Sequence, residues 1–240
     1  SLFGDMGDDW TDYNQTYDPK DELSDEQKQR IIDTCKFVSH SSAEEFAFGI
    51  GDYCDLESFA RYLALTVWLA DLDGILGPGQ NYYLYLHPRT RKFSILPWDQ
   101  DQSFGQFPRG RQEQREHLSI REPWNGRNTF LEKLFAAEAF RTKYMAVLGE
   151  LNQTVLQPDA IHGLVDELAA IVREPIAEES EERLKAFMKA AAGESVAVAM
   201  GPGFREPVQV KPIRSFVTAR WKSVDDQLAG RTEGETIGRR

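Results

Sequence analysis

Apolar side chains return at three- and four-residue steps along most of this chain, which predicts a mainly helical protein. Ile31, Ile32, Cys35 and Val38 form a first stripe. Ser24 and Gln27 in front of it have the spacing of a capping box, and residues 39–42 are rich in Ser, which ends the helix. A second stripe, Leu56, Phe59, Leu63, Val67 and Ala70, follows Asp55 as a cap, and Tyr62, Leu65 and Leu69 widen it into a largely buried helix. It stops at the acidic turn Asp71-Leu72-Asp73-Gly74, and Gly77-Pro78-Gly79 then forces a loop.

Residues 81–86 (NYYLYL) and 93–96 (FSIL) break the helical rhythm. They are short, rich in β-formers, and separated by the polar turn HPRTRK, so they predict a β-hairpin. The hairpin ends at Pro97-Trp98-Asp99, with Asp101 two residues on. Residues 106–127 are basic, punctuated by Gly and Pro, and aperiodic, which predicts a long irregular segment. Helical periodicity resumes from Asn128 with Phe130, Leu131, Leu134 and Phe135, and continues through Phe140, Tyr144, Val147 and Leu148. Pro158 restarts a helix with Ile161, Leu164, Leu168 and Ile171. Residues 175–190 predict another with Ile176, Leu184 and Phe187, and Phe216, Trp221, Val224 and Leu228 a last one. Residues 1–22, 191–212 and 231–240 read as a loop-like lead-in, a loop and a disordered tail. The fold class expected is therefore α+β, mostly α: one domain over residues 1–230, with a small hairpin followed by a helical bundle.

Composition changes that picture little and bounds the function. With 240 residues, 41% of them apolar, the chain can build a sizeable core. A formal net charge of −11 argues against a partner that is nucleic acid or an anionic membrane surface. No apolar run approaches the roughly 18–20 residues that span a bilayer. The two cysteines, Cys35 and Cys54, have no metal-binding spacing, and free, half-buried thiols are expected. The sequence does not open on Met, so it carries no reading of compartment.

The chemistry lies in the two acidic clusters that flank the hairpin, Asp71/Asp73 and Asp99/Asp101. Phosphoryl transfer asks little covalent help of a protein. It needs a group that orients the attacking hydroxyl, and oxygen ligands that hold Mg²⁺ against the phosphates. Protein kinases supply these in a set order: a buried helix, a catalytic Asp, a metal-binding Asn, a hairpin, and a second metal-binding Asp. The order here is a buried helix, Asp73, Asn81, the hairpin and Asp99. The spacing differs, for Asn81 lies eight residues after Asp73, and no H-R-D or D-F-G is present.

The elements NYYLY and ILPWDQDQSFG resemble the signature of the CotH family, atypical kinases named for a spore coat protein. That family typically shows N-x-D or a related acidic turn, then H-N-Y-Y-L-Y, a hairpin, and I-P-W-D-x-D/N-x-x-F-G. This sequence offers Asp71-Leu72-Asp73, then Asn81 through Tyr85, then Leu96 through Asp101, closing on Phe104-Gly105. The lead-in at residues 17–20, the Phe140/Tyr144 element and the closing Phe216…Arg220…Val224…Leu228 are similar too, so the likeness covers roughly residues 9–229.

The resemblance implies a protein-kinase-like C-terminal lobe and transfer of the ATP γ-phosphate to Ser or Thr of a protein substrate. It implies Asp73 as the catalytic carboxylate, Asn81 and Asp99 as residues that bind the cofactor through Mg²⁺ or Mn²⁺, and Asp101 as a further metal ligand. It also implies a spore-coat, cell-surface or secreted location. Gln80 stands where the family usually has His or Arg, and Asp71 where Asn is common. A phosphate-covering N-terminal lobe with its nucleotide lysine is expected before residue 1, and without it the chain is expected to transfer little. The alternative expectation is a non-catalytic relative that serves as a surface or coat interaction module.

Overall fold

The computed structural model describes residues 2–198 and 208–238. Its centre is helix α4, so numbered in the chain order α1 (Trp10–Tyr17), α2 (Asp25–His40), α3 (Ala43–Tyr53) and α4 (Leu56–Trp68). Asp55 caps α4 by accepting hydrogen bonds from the Glu57 and Ser58 amides at 3.1 and 3.2 Å. Phe59, Leu63 and Val67 are fully buried, as the periodicity requires, while Leu65, expected on the same face, is exposed. The Ser24–Gln27 capping box at the head of α2 is present in both directions.

The hairpin consists of β1 (Tyr82–Leu86) and β2 (Phe93–Pro97), antiparallel, with Tyr83 opposite Leu96 and Tyr85 opposite Ser94. It hangs on α4 through β2. The Asp55 amide donates to the Phe93 carbonyl at 2.8 Å, and the Ile95 amide to the Ser58 hydroxyl at 3.2 Å. Phe93 and Ile95 point inward and are buried, whereas Tyr83, Tyr85 and Leu96 face out. Because Phe93 sits by Asp55 and Ile95 by Ser58, strand and helix run side by side in the same direction. Both therefore deliver their C-terminal ends, and the acidic cluster that follows each, to one place.

Beyond the hairpin come α5 (Gln112–Glu116), α6 (Thr129–Ala136), α7 (Glu138–Gln153), α8 (Pro158–Glu179), α9 (Glu181–Ala191), strands β3 (Val196–Val198) and β4 (Val208–Val210), and α10 (Ile213–Leu228). α7 packs along α4, and the buried Trp68 indole donates to the Asn152 side-chain oxygen at 2.8 Å. α10 packs on α7 and α8 and sends Arg220 through the core to the end of α4.

Several elements differ from the sequence reading. The lead-in contains α1, held by an Asp9 cap. α3 was not expected, although Ser42 and Glu45 form a second capping box there. The long segment after the hairpin contains the short helix α5. The helical run after Asn128 is two helices, divided at Ala137. α8 continues through Pro175 to Glu179, so the break expected at 175 falls five residues later. The expected loop over 191–212 carries the antiparallel pair β3–β4, and residues 199–207 of it lie outside the described residues. Where the tail suggests disorder, residues 231–238 instead turn back. Glu235 exchanges backbone hydrogen bonds with the 117–119 segment at 2.7 and 2.8 Å, and Ile237 is buried.

Candidate active site

The first acidic turn is shaped by the way α4 ends. Ala70 takes a left-handed conformation (φ 48°), and the Asp71 amide reaches back to the Thr66 carbonyl at 3.1 Å. Asp71 is thereby turned into the protein and is fully buried. Its Oδ1 accepts the Asp73 amide at 3.1 Å, a tight local turn that fixes the Asp73 backbone. The 74–79 loop then closes on itself, the Gly77 and Gly79 amides both donating to the Gly74 carbonyl. A Cβ at Gly77 would overlap the Leu72 carbonyl oxygen, so this chain path admits only glycine there.

This loop brings Asp73 against the start of the hairpin. Asn81 Nδ2 donates to Asp73 Oδ2 at 3.0 Å and to the Asp73 carbonyl at 3.2 Å, and Gln80 Nε2 donates to Asp73 Oδ1 at 3.0 Å. Asn81 is itself left-handed (φ 59°), a conformation that Asn tolerates better than most residues. Its nitrogen is engaged with Asp73, so its Oδ1 is the end left to accept from elsewhere. Eight residues of separation thus do not keep Asp73 and Asn81 apart: the loop between them is a closed turn.

The second cluster arrives on the other strand. The Trp98 amide donates to the Asn81 carbonyl at 3.3 Å, which sets Asp99 one residue beyond the base of the hairpin. Asp99 is left-handed (φ 49°) and exposed. Asp101 is exposed and accepts from Gln102 Nε2 at 3.0 Å. The loop after it is pinned to the end of α4, the Gly105 amide donating to the Leu69 carbonyl at 3.2 Å. Burial raises the carboxyl pKa of Asp71 above its ordinary value, and the negative charges of Asp73 and Asp101 raise it further, so both clusters share one field. Asp71 Oδ2 and the Tyr62 hydroxyl are both buried beside Gly74, 3.4 and 3.8 Å from the position that a Cβ there would take.

Of the residues singled out from the sequence, Asp73 and Asn81 are in direct contact, Asp99 is joined to Asn81 through the backbone of Trp98, and Asp101 lies within electrostatic reach of Asp71. Among the described residues, no three His, Cys, Asp or Glu side chains form a group that could hold a metal ion.

The family model for CotH kinase proteins matches residues 4–223. The chain belongs to the CotH family. A curated relative, the inner spore coat protein H of Bacillus subtilis (strain 168), is 26% identical over 111 residues, which is 46% of this chain and 29% of that protein. The chain therefore matches under a third of that relative's length. No helix among the described residues is long and apolar enough to cross a membrane.

Three residues to which the sequence reading gave no role of their own also build the site. Gln80, noted only as a departure from the family pattern, is the second amide on Asp73. Asp71 is the buried brace of the turn rather than a second surface carboxylate. Arg220 gives Nε to the Trp68 carbonyl at 3.1 Å, Nη2 to the Val67 carbonyl at 2.9 Å and Nη1 to the Leu118 carbonyl at 2.6 Å. The guanidinium thus caps the C-terminal end of α4 immediately before the acidic turn, where a cation is favoured by the helix dipole. Its signal in the sequence was a charged residue at a core position, four after Phe216 and four before Val224. The basic segment contributes structure: Arg115 Nη1 holds the Arg109 and Gly110 carbonyls at 3.1 and 2.8 Å.

Proposed function

We propose that this chain carries the catalytic and metal-binding residues of an ATP-dependent kinase that phosphorylates Ser or Thr of a protein, in keeping with its family. The observation that carries the proposal is the hydrogen bond from Asn81 to Asp73, made next to the strand that leads to Asp99. Asp73 is held by two amides, and each of its oxygens keeps a lone pair for the proton of an acceptor hydroxyl. Asn81 Oδ1 and the exposed Asp99 carboxylate are hard oxygen donors, which fits Mg²⁺ or Mn²⁺, and Asp101 is a further oxygen ligand close by. A site with so few protein ligands suits Mg²⁺, which keeps several waters and takes phosphate oxygens as ligands. Asn81, Asp99 and Asp101 would hold the metal, whose positive charge would neutralise the negative charge of the nucleotide phosphates. Asp71 and Gln80 position Asp73. The coat location in the relative's name supports a coat location for this protein as well.

The test is transfer of labelled γ-phosphate from ATP to the protein itself and to a Ser-rich basic peptide, with Mg²⁺ or Mn²⁺, together with metal-dependent binding of a fluorescent ATP analogue. The 240-residue chain and a longer polypeptide that includes it would both be assayed. Asp73→Ala is expected to abolish transfer and keep nucleotide binding; Asp99→Asn is expected to lose both. Metal-independent binding, or none in either polypeptide, would sink the kinase reading and leave a non-catalytic interaction module.

A further inference from the structure

α8 has an apolar face that the described residues leave exposed. Its apolar residues recur at helical steps from Ile161, which is buried. Leu164, Leu168 and Ile171, however, are 52%, 51% and 70% exposed, with Val172 beside them at 37%. Positions i, i+4, i+7 and i+8 lie in one row along a helix, about 12 Å long at ~1.5 Å per residue. Scattered single apolar residues on a surface need no explanation, but a row at helical spacing is the pattern that one helix offers to another.

The edge of this row is acidic. Glu167 and Glu174 come three residues after Leu164 and Ile171, and Glu178 seven after Ile171, which sets all three along one flank of the stripe. All three are exposed. α8 as a whole has six Asp and Glu against a single Arg. Pro175 lies on the stripe as well, and having no N–H it cannot donate to the Ile171 carbonyl one turn back. The stripe thus offers an extra acceptor.

From this we infer that the exposed face of α8 docks a cationic amphipathic helix of a partner protein. The partner's apolar row lies on Leu164, Leu168 and Ile171, and its Lys or Arg flank faces Glu167, Glu174 and Glu178. Charge selects this occupant over the others. Pairing α8 with α8 of a second copy would set three glutamates against three, and an anionic membrane would be repelled by the same flank. This surface is independent of the acidic turns, so it stands whether or not the chain transfers phosphate.

The probe is a fluorescein-labelled 18-residue Leu/Lys peptide with Leu at i, i+3, i+4 and i+7, its binding to the 240-residue chain read by anisotropy. The comparison peptides are a scrambled sequence of the same composition and a Leu/Glu version with the same apolar row. The amphipathic Lys peptide is expected to bind at least tenfold more tightly than either. The double variant Leu168→Ser/Ile171→Ser, which alters only exposed side chains, is expected to lose that tenfold preference with an unchanged circular dichroism spectrum. Reversal at Glu167, Glu174 and Glu178 to Lys is expected to switch the preference to the Leu/Glu peptide. Equal binding of the scrambled peptide, or unchanged binding by the Ser variant, would overturn the inference. So would a dimer in sedimentation, or capture by anionic vesicles, that the Ser variant abolishes.

Discussion

Replacing Arg220 by Met tests how the acidic turn is anchored. The guanidinium is fully buried with no carboxylate partner among the described residues; its three shortest hydrogen bonds, 2.6–3.1 Å, go to backbone carbonyls. Burial lowers its pKa to about 10, still high enough to keep it charged at neutral pH. A hydrogen bond to a charged group contributes about 1.5–3 kcal/mol, and removing it from a buried partner adds that partner's desolvation cost. Three such bonds would suggest a very large loss, but two of the carbonyls keep another donor. Val67 also accepts the Ala70 amide at 3.1 Å, and Leu118 accepts Gln227 Nε2 at 3.2 Å. Met also relieves the cost of burying a charge. The balance is a loss of about 3–5 kcal/mol: three hydrogen bonds to a charged group at about 1.5–3 kcal/mol each, less what the remaining donors and the relieved charge burial give back. With a urea slope of roughly 2–3 kcal/mol/M, the unfolding midpoint falls by about 1–2 M. Hydrogen exchange is expected to accelerate first at residues 69–73, which follow the carbonyls that lose their cap. A midpoint within about 0.3 M of wild type, with the slope unchanged, would refute the reasoning, for it would mean that α4 and the turn hold their ends without the arginine.

Asp71→Asn addresses the same turn through pH. Burial raises the folded-state pKa of Asp71, so the folded protein binds that proton more tightly than the unfolded chain. Wild-type stability is therefore expected to fall as pH rises from about 4, the unfolded value, through the folded pKa. The Asn variant lacks this decline and melts higher at pH 7 but not at pH 3 by calorimetry; an Asn variant less stable at pH 7 would show instead that the charged form is held by a cation or donor. Gly77→Ala is expected to cost about 1–3 kcal/mol in urea unfolding by overlap with the Leu72 carbonyl, and no loss would mean that the 74–79 loop takes another path. Cys35 and Cys54 are both buried as free thiols, and burial pushes Cys35 up to about 11. Neither is expected to react quickly with a disulfide reagent at pH 8 until guanidinium is added, and rapid native-state labelling would contradict that burial.

What the sequence disclosed follows from where its signals are local. The hairpin was legible because β-formers, turn residues and the acidic ends all lie within about twenty positions of one another. α4 was legible because its apolar stripe is long. α1 and α3 do carry rows at helical steps, Trp10/Tyr13/Tyr17 and Phe46/Ile50/Tyr53, behind the Asp9 and Ser42/Glu45 caps, but Thr, Asp and Asn in α1 and Gly49 and Gly51 in α3 are weak helix formers that masked them. α8 teaches the converse: periodicity shows that a helix has an apolar face and says nothing of what covers it, and Leu164, Leu168 and Ile171 are exposed. Residues 175–190 read as a separate helix because Pro lacks an N–H and crowds the carbonyl one turn back, yet α8 runs on through Pro175 to Glu179. At the candidate site, the order Asp73, Asn81, Asp99 was legible, whereas the Gln80 contact depends on a loop closure, and the Arg220 cap on a contact across 152 residues.

The parallel course of α4 and β2 makes them two rulers with different graduations. Thirteen helical residues at ~1.5 Å cover about 20 Å, and five strand residues at ~3.3 Å about 17 Å, so the two reach the same mark. One residue added to the strand would move Asp99 by a whole strand step and turn it to the opposite face. One added to the helix would move Asp71 by less than half as far but swing it through about 100°. Neither shift compensates the other. Lineages of this fold are thus free to vary the length of the turn between β1 and β2, while the helix and the strand must keep theirs for the two acidic clusters to meet.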